Sequence, residues 1–196
     1  MIVSLSPGEE VKRCLLCGAN LRYEMLAGEL RKLDLGRLEV LELDPSSPLR
    51  GLLKEAKRHL RTFYTPGVAP GTEGPAGARC EDITRLTLPD ASLDLVVSSD
   101  VLEHVPDLGA AFAETARVLR PGGQHLFTVP PRERTRRRPA DDPEYHSDPL
   151  DPKGILAVWD IGPDAPAHFD RPDLKLEIAA GPEGVDRRLV WRARKP

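Results

Sequence analysis

Ser98, Ser99 and Asp100 end a short apolar run, and Leu102, Glu103 and His104 follow almost at once. Side-chain oxygens and backbone carbonyls in such a place suit a ligand ammonium, which can donate three hydrogen bonds. His104, with an ordinary pKa near neutrality, could orient a substrate or accept a proton; equally, it could cap or pack before Pro106. Further on, Tyr145 and His146 stand in the string Glu-Tyr-His-Ser-Asp-Pro. They are the first choices for substrate contact, because a neutral imidazole can take the proton of an attacking hydroxyl. The competing reading is a turn held by Asp148-Pro149. Cys14 and Cys17 form a CxxC turn, but structural zinc needs four ligands and no second CxxC follows. Cys80 and one of His59, His104, His125, His146 or His168 would have to complete such a site across the fold. Reduced thiols beside a turn are the simpler reading, and no metal is assigned.

These residues need elements to hold them. Leu93, Leu95, Val96 and Val97 read as a strand buried on both faces, whose polar end would open on a ligand crevice. Leu108, Phe112, Ala116 and Leu119 recur at helical spacing. Arg120-Pro121-Gly122-Gly123 should end that helix, and Leu126–Val129 should be the next strand. Strand, crossover helix and strand make a parallel, right-handed βαβ unit.

The spans LPDASLDLVVSSDVLEHV and ARVLRPGGQHLFTVP closely resemble the second half of class I S-adenosylmethionine-dependent methyltransferases of the type 11 kind. There an FD-strand-LEH segment precedes a helix ending in R-V-L-x-P-G-G. The resemblance implies an α/β, Rossmann-like fold, with a mostly parallel central sheet, an antiparallel C-terminal hairpin and a reduced C-terminal helix. Gly162, Pro163, Pro166 and Pro172 break the helix that relatives carry on that flank. Residues 1–36 would be an N-terminal arm and helix bearing the CxxC, and 37–196 the methyltransferase-like domain.

The same resemblance assigns a cofactor, S-adenosyl-L-methionine, and positions for it. Leu38–Leu43 would be the first strand, with Glu42 at its end and Asp44, Pro45 and Ser46 in the loop that follows. That loop reads Asp-Pro-Ser-Ser-Pro where the family usually has glycines, so Ser46 or Ser47 would cap a helix carrying Leu49, Leu52, Leu53, Ala56 and Leu60. Asp82 would accept from the adenine amino group and Ile83 would pack near the ring. Ser98, Ser99 and Asp100 would face the amino-acid portion, and Leu102 one side of the adenosine. The position for a ribose-binding carboxylate falls on Phe63 or Tyr64.

Composition narrows the rest. With 196 residues, 40% hydrophobic and 30% charged, the chain suits one soluble core, and its net charge of −3 argues against nucleic acid. No apolar run is long enough for a bilayer, and the N-terminus lacks a secretory core, so a cytoplasmic protein is expected. Arg132, Arg134, Arg136, Arg137 and Arg138 should form a solvated loop at the pocket mouth, able to attract an anionic substrate. The leading function is methyl transfer to an unidentified small-molecule or protein acceptor. Its rival is a catalytically degenerate binding or assembly protein, and a shortened sheet flank could be covered by a second copy as a homodimer.

Overall fold

The computed structural model describes residues 2–4, 12–14, 19–44, 46–146, 153–181 and 188–196. Cys17, Pro45, Asp148, Pro149 and most of the terminal hairpin connection lie outside the described residues. Ile2–Ser4 (β1) and Lys12–Cys14 (β2) pair as an antiparallel ribbon.

Helix α1 spans Leu21–Leu30, capped by Asn20, whose Oδ1 accepts from the Tyr23 amide at 3.4 Å. Leu26 and Leu30, four apart, are fully buried on its sheet-facing side. Strand β3 (Glu39–Glu42) follows, and then α2 (Arg50–Leu53), a single turn. The apolar stripe expected to run on through Ala56 to Leu60 does not continue as a helix, because Leu60 already lies in β4 (Arg58–Phe63). Strand β5 is Arg79–Cys80, and β6 is Leu93–Ser99.

Helix α3 (Leu108–Val118) starts on Asp107, whose Oδ1 accepts from the Ala110 amide at 2.9 Å. It buries Leu108, Ala111, Phe112, Thr115 and Ala116, the i, i+3, i+4 pattern of one face. Strand β7 begins at once and runs Leu119–Thr128, so the Arg-Pro-Gly-Gly stretch is inside the strand, not only a turn before it. The register against β6 shifts there, between Leu93 and Leu95. Gly122 takes φ +81°, and a Cβ on Gly123 would lie 2.9 Å from the Arg120 carbonyl oxygen and 3.1 Å from that of Asp94. Only glycine fits such a bulge without a shift.

Four short strands come next: β8 (Arg136–Arg137), β9 (Glu144–His146), β10 (Ile155–Ala157) and β11 (Trp159–Asp160). They form two ribbons, β8 with β11 and β9 with β10, each antiparallel. Helix α4 is only Ala165–Phe169, so the flank helix is reduced, as its prolines demand. Strands β12 (Lys175–Ala180) and β13 (Val190–Arg194) close the chain.

The central sheet has the order β12-β13-β7-β6-β3-β4-β5. Its five strands from β7 to β5 are parallel, and β13 runs against both of its neighbours. Leu41, Val96, Phe127 and Trp191 pack on the face with α3 and α4. Val40, Leu95, Val97, Leu126 and Val190 pack on the face with α1 and α2. The connections reverse direction between β3 and β6, and ligands of open α/β sheets bind at the carboxyl ends beside that reversal. No helix among the described residues is long and apolar enough to cross a membrane.

Candidate active site at the carboxyl ends of the central strands

Asp44 follows β3 and Asp100 follows β6, one on each side of the reversal point. Asp100 takes φ +52°, an uncommon conformation for a non-glycine residue, and its amide donates to the Thr128 carbonyl oxygen at 2.9 Å. Its Oδ1 accepts from Thr128 Oγ1 at 3.1 Å, and its Oδ2 pairs with the Arg22 guanidinium of α1. Asp44 Oδ2 accepts from the Tyr23 hydroxyl at 2.7 Å, and Oδ1 from the Ser46 amide at 2.8 Å. Burial, then the Asp44 carboxylate, raise the Tyr23 phenol above its ordinary value. The Arg22 guanidinium lies 5.2 Å from the Tyr23 ring centre. Helix α1 therefore lays a cation and a phenol across the crevice between two carboxylates. Acceptors for an ammonium and a donor for a carboxylate stand side by side, a set that fits the zwitterionic end of S-adenosylmethionine.

A second group lies just beyond β6. The turn Leu102–His104 packs under the β9–β10 ribbon: Val158 donates to the Glu103 carbonyl oxygen at 2.7 Å, and His104 Nδ1 meets the Leu156 carbonyl oxygen at 2.9 Å. That carbonyl can only accept, so Nδ1 carries the proton and Nε2 of neutral His104 is bare. His146 Nε2 lies 3.1 Å from Glu144 Oε1, which assigns its proton to Nε2 and leaves Nδ1 bare in the neutral ring. His146 Nδ1 and His104 Nε2 are 3.2 Å apart. Both face the Glu103 carboxyl, whose residue is 2% exposed and whose two oxygens have no well-aligned donor. His146 Nδ1 lies 3.4 Å from Glu103 Oε1, near enough for electrostatic attraction although poorly aimed as a hydrogen bond. Burial pushes the Glu103 carboxyl up, and the nearby Asp100 charge adds to this. The Glu103 carboxylate in turn holds the His146 imidazole above its ordinary value, against burial. Three electron-pair donors thus converge.

The surrounding basic run keeps Arg134, Arg136 and Arg137 exposed to solvent, but most of its guanidiniums also have acidic partners. Arg136 and Arg138 reach the buried carboxylate of Asp160 at 2.8 and 2.7 Å, and Arg132 reaches it at 3.1 Å. Arg132 and Arg138 also hold Glu144. Burial would raise both acids, but the guanidiniums, with His146 at Glu144, bring each below its ordinary value. Arg137 spans Pro106 and the Trp159 ring. The arginines knit the ribbons together, an outcome set by an aspartate far along the chain.

The remaining positions sort by face. Ser98 turns into the core, its Oγ 2.9 Å from His125 Nε2, whereas Ser99 Oγ meets Thr128 Oγ1 at 3.1 Å on the α1 face. Glu42 is buried on the α1 face against His59, at 2.8 Å. Asp82 Oδ1 accepts from the Thr84 amide and hydroxyl, and Ile83 and fully buried Leu102 share one core cluster. Ser46 serves the Asp44 turn through its amide, and Ser47 Oγ accepts from the Leu49 amide. Tyr145 is 55% exposed at the rim. A hollow of about 360 Å³ lies at the opposite, amino end of the strands, lined by Leu38, Asp94 and Pro121–Gln124. It is open and remote from these groups, so it is not the site. Arg22, Tyr23, Glu103 and Glu144 escaped the sequence reading as site residues. Glu103 and Glu144 had a signal, each being placed within two residues of a singled-out histidine.

A family model described as a methyltransferase domain matches residues 17–127. A probable S-adenosylmethionine-dependent methyltransferase of Mycolicibacterium smegmatis is 47% identical over 51 residues, 26% of this chain and 20% of that protein. The aligned stretch is thus a small part of that relative's length. The crystal structure of an S-adenosylmethionine-dependent methyltransferase from Mesorhizobium loti superposes with a TM-score of 0.57 at 19% identity, covering 86% of this chain and 96% of that one. A Burkholderia thailandensis 1,6-didemethyltoxoflavin-N1-methyltransferase, solved with bound 1,6-didemethyltoxoflavin and S-adenosylhomocysteine, gives a TM-score of 0.53 at 17% identity, over 88% and 77%. The shared feature at this level is the fold.

Proposed function

Because this chain belongs to the methyltransferase-domain family, we propose that it transfers a methyl group from S-adenosylmethionine to a small hydroxyl-bearing acceptor. The observation that carries this reading is the pairing of two sites at one end of the sheet. Asp44 and Asp100 flank the strand reversal with Arg22 between them, and Glu103 and His104, next along the chain from Asp100, meet His146. The cofactor supplies an electrophilic methyl group on a sulfonium. Asp44 and Asp100 would hold the ammonium, and Arg22, beside Asp100, would meet the ligand carboxylate. Asp82 and Ile83 take the adenine end. Tyr145 and His146 meet the acceptor, and His146 Nδ1, bare in the neutral ring, would take the hydroxyl proton as the acceptor oxygen bonds the methyl carbon and S-adenosylhomocysteine departs.

The non-catalytic reading is not favoured. The features on its side are Asp44 in the entrance loop, the absence of a carboxylate at Phe63 or Tyr64, and the reduced flank helix. Asp44 is tied to Tyr23 and Ser46, and in this reading it serves the ammonium.

S-adenosylhomocysteine is the test. At a hundredfold excess over its Kd it should stabilise the folded chain by about 2.7 kcal/mol. No thermal shift at millimolar ligand would overturn the reading. His146→Ala and Tyr145→Ala should lose turnover on an accepted phenol or alcohol while keeping that shift.

A further inference from the structure

The Glu103–His104–His146 group has a geometry that a proton alone does not require. His104 Nε2 and His146 Nδ1 are 3.2 Å apart, His146 Nδ1 and Glu103 Oε1 3.4 Å, and His104 Nε2 and Glu103 Oε1 3.7 Å. A tetrahedral zinc ion with bonds of about 2.0–2.1 Å spaces its ligand atoms about 3.3–3.4 Å apart. The three atoms therefore already form one face of a tetrahedron of the right size. Two imidazoles and a carboxylate are also a donor set that zinc-class ions take when a fourth position is left for water or substrate.

The supporting shell fits equally well. Metal-bound histidines give their second nitrogen's proton to a carbonyl or carboxylate, which fixes the tautomer and aims the lone pair. His104 does this to the Leu156 carbonyl oxygen and His146 to Glu144, itself held by Arg132 and Arg138. Glu103 supplies an independent sign. It is nine-tenths and more buried, aimed at the two bare nitrogens, and neither oxygen has a well-aligned donor. The cost of burying an unmatched carboxylate falls when a cation sits on it. The histidine side chains, 14% and 24% exposed, leave the outer side of the triangle accessible.

We propose that Glu103, His104 and His146 bind one divalent transition-metal ion of the zinc class, with an open position facing the acceptor side of the site. If the methyl-transfer reading holds, the acceptor hydroxyl occupies that position, where the ion favours its ionised form. The metal site itself does not depend on that reading.

The test uses the full chain carrying Cys14→Ser and Cys17→Ser, so that the CxxC thiols cannot contribute. The protein is stripped with a chelator and titrated with Zn²⁺ against a chromophoric competitor, then with Co²⁺. One equivalent should bind, and Co²⁺ should give tetrahedral visible bands without a thiolate charge-transfer band. His104→Ala and His146→Ala should each weaken Zn²⁺ by more than about 100-fold, and Glu144→Gln by about 10–100-fold. Near-ultraviolet circular dichroism checks that each variant is folded; if one is not, the Co²⁺ spectrum and Glu144→Gln carry the test. No bound equivalent in the folded protein, or unchanged affinity in His146→Ala, would overturn the proposal and leave a proton in the cluster. S-adenosylhomocysteine should still shift the variants, so failure of the metal site and failure of the cofactor reading are told apart.

Discussion

The Tyr23 hydroxyl donates to Asp44 Oδ2 across 2.7 Å, so the helix before the first sheet strand holds the carboxylate of the loop after it. That bond is part-buried beside the core, and its loss leaves a carboxylate oxygen with one partner fewer. Tyr23→Phe should lower the unfolding free energy by about 1–2 kcal/mol. Urea unfolding at pH 7 measures it; a change within error would mean that Asp44 finds equivalent partners elsewhere.

Arg22 should matter to the cofactor more than to the fold. Its pair with Asp100 is one that a ligand carboxylate can replace, and a charge-assisted contact of this kind is worth about 1.5–3 kcal/mol. Arg22→Met should weaken S-adenosylhomocysteine by about 10–100-fold in calorimetric titration. A Kd equal to that of the unmodified chain would remove Arg22 from the cofactor site.

His125 makes the fold acid-sensitive. Burial lowers its imidazole to about 3, and its Nε2 is engaged by Ser98. The unfolded chain binds a proton near pH 6.5 and the folded one does not, so this contribution is complete above that pH and is lost as pH falls toward 3. The loss should run at about 1.4 kcal/mol per pH unit, reaching about 2 kcal/mol at pH 5. Comparing unfolding at pH 7 and pH 5, His125→Gln should show a fall smaller by that amount. Parallel pH dependences would contradict the assignment.

Gly162 lets the segment before β8 meet the segment after β11. A Cβ there would lie 2.5–2.7 Å from the Arg134 backbone, which is too close for any rotamer to relieve. Gly162→Ala should cost about 1–3 kcal/mol and displace the ribbons that carry His146. Turnover should fall well below that of the parent while the S-adenosylhomocysteine shift persists; full turnover would show that the ribbons do not depend on this contact.

Much of this molecule is written locally. The apolar run Leu93–Val97 with its polar end, the Leu108–Ala116 periodicity and the alternating terminal strands each encode an element through short-range patterning, because burial repeats with the element's own period. The reversal point and the position of Ser99 and Asp100 beside it follow from that order of elements. Other features depend on partners distant in sequence. The Arg132–Arg138 run gains its acidic partner only when Asp160 is brought to it, and Asp44 its phenol only when Tyr23 lies beside it. His104 and His146, 42 positions apart, become a pair only when the β9–β10 ribbon folds back over the turn after β6. Residue types and periodicity fix which face of an element is apolar. Which charges meet is decided by how loops close across the sheet, a matter of three-dimensional packing that no local pattern contains.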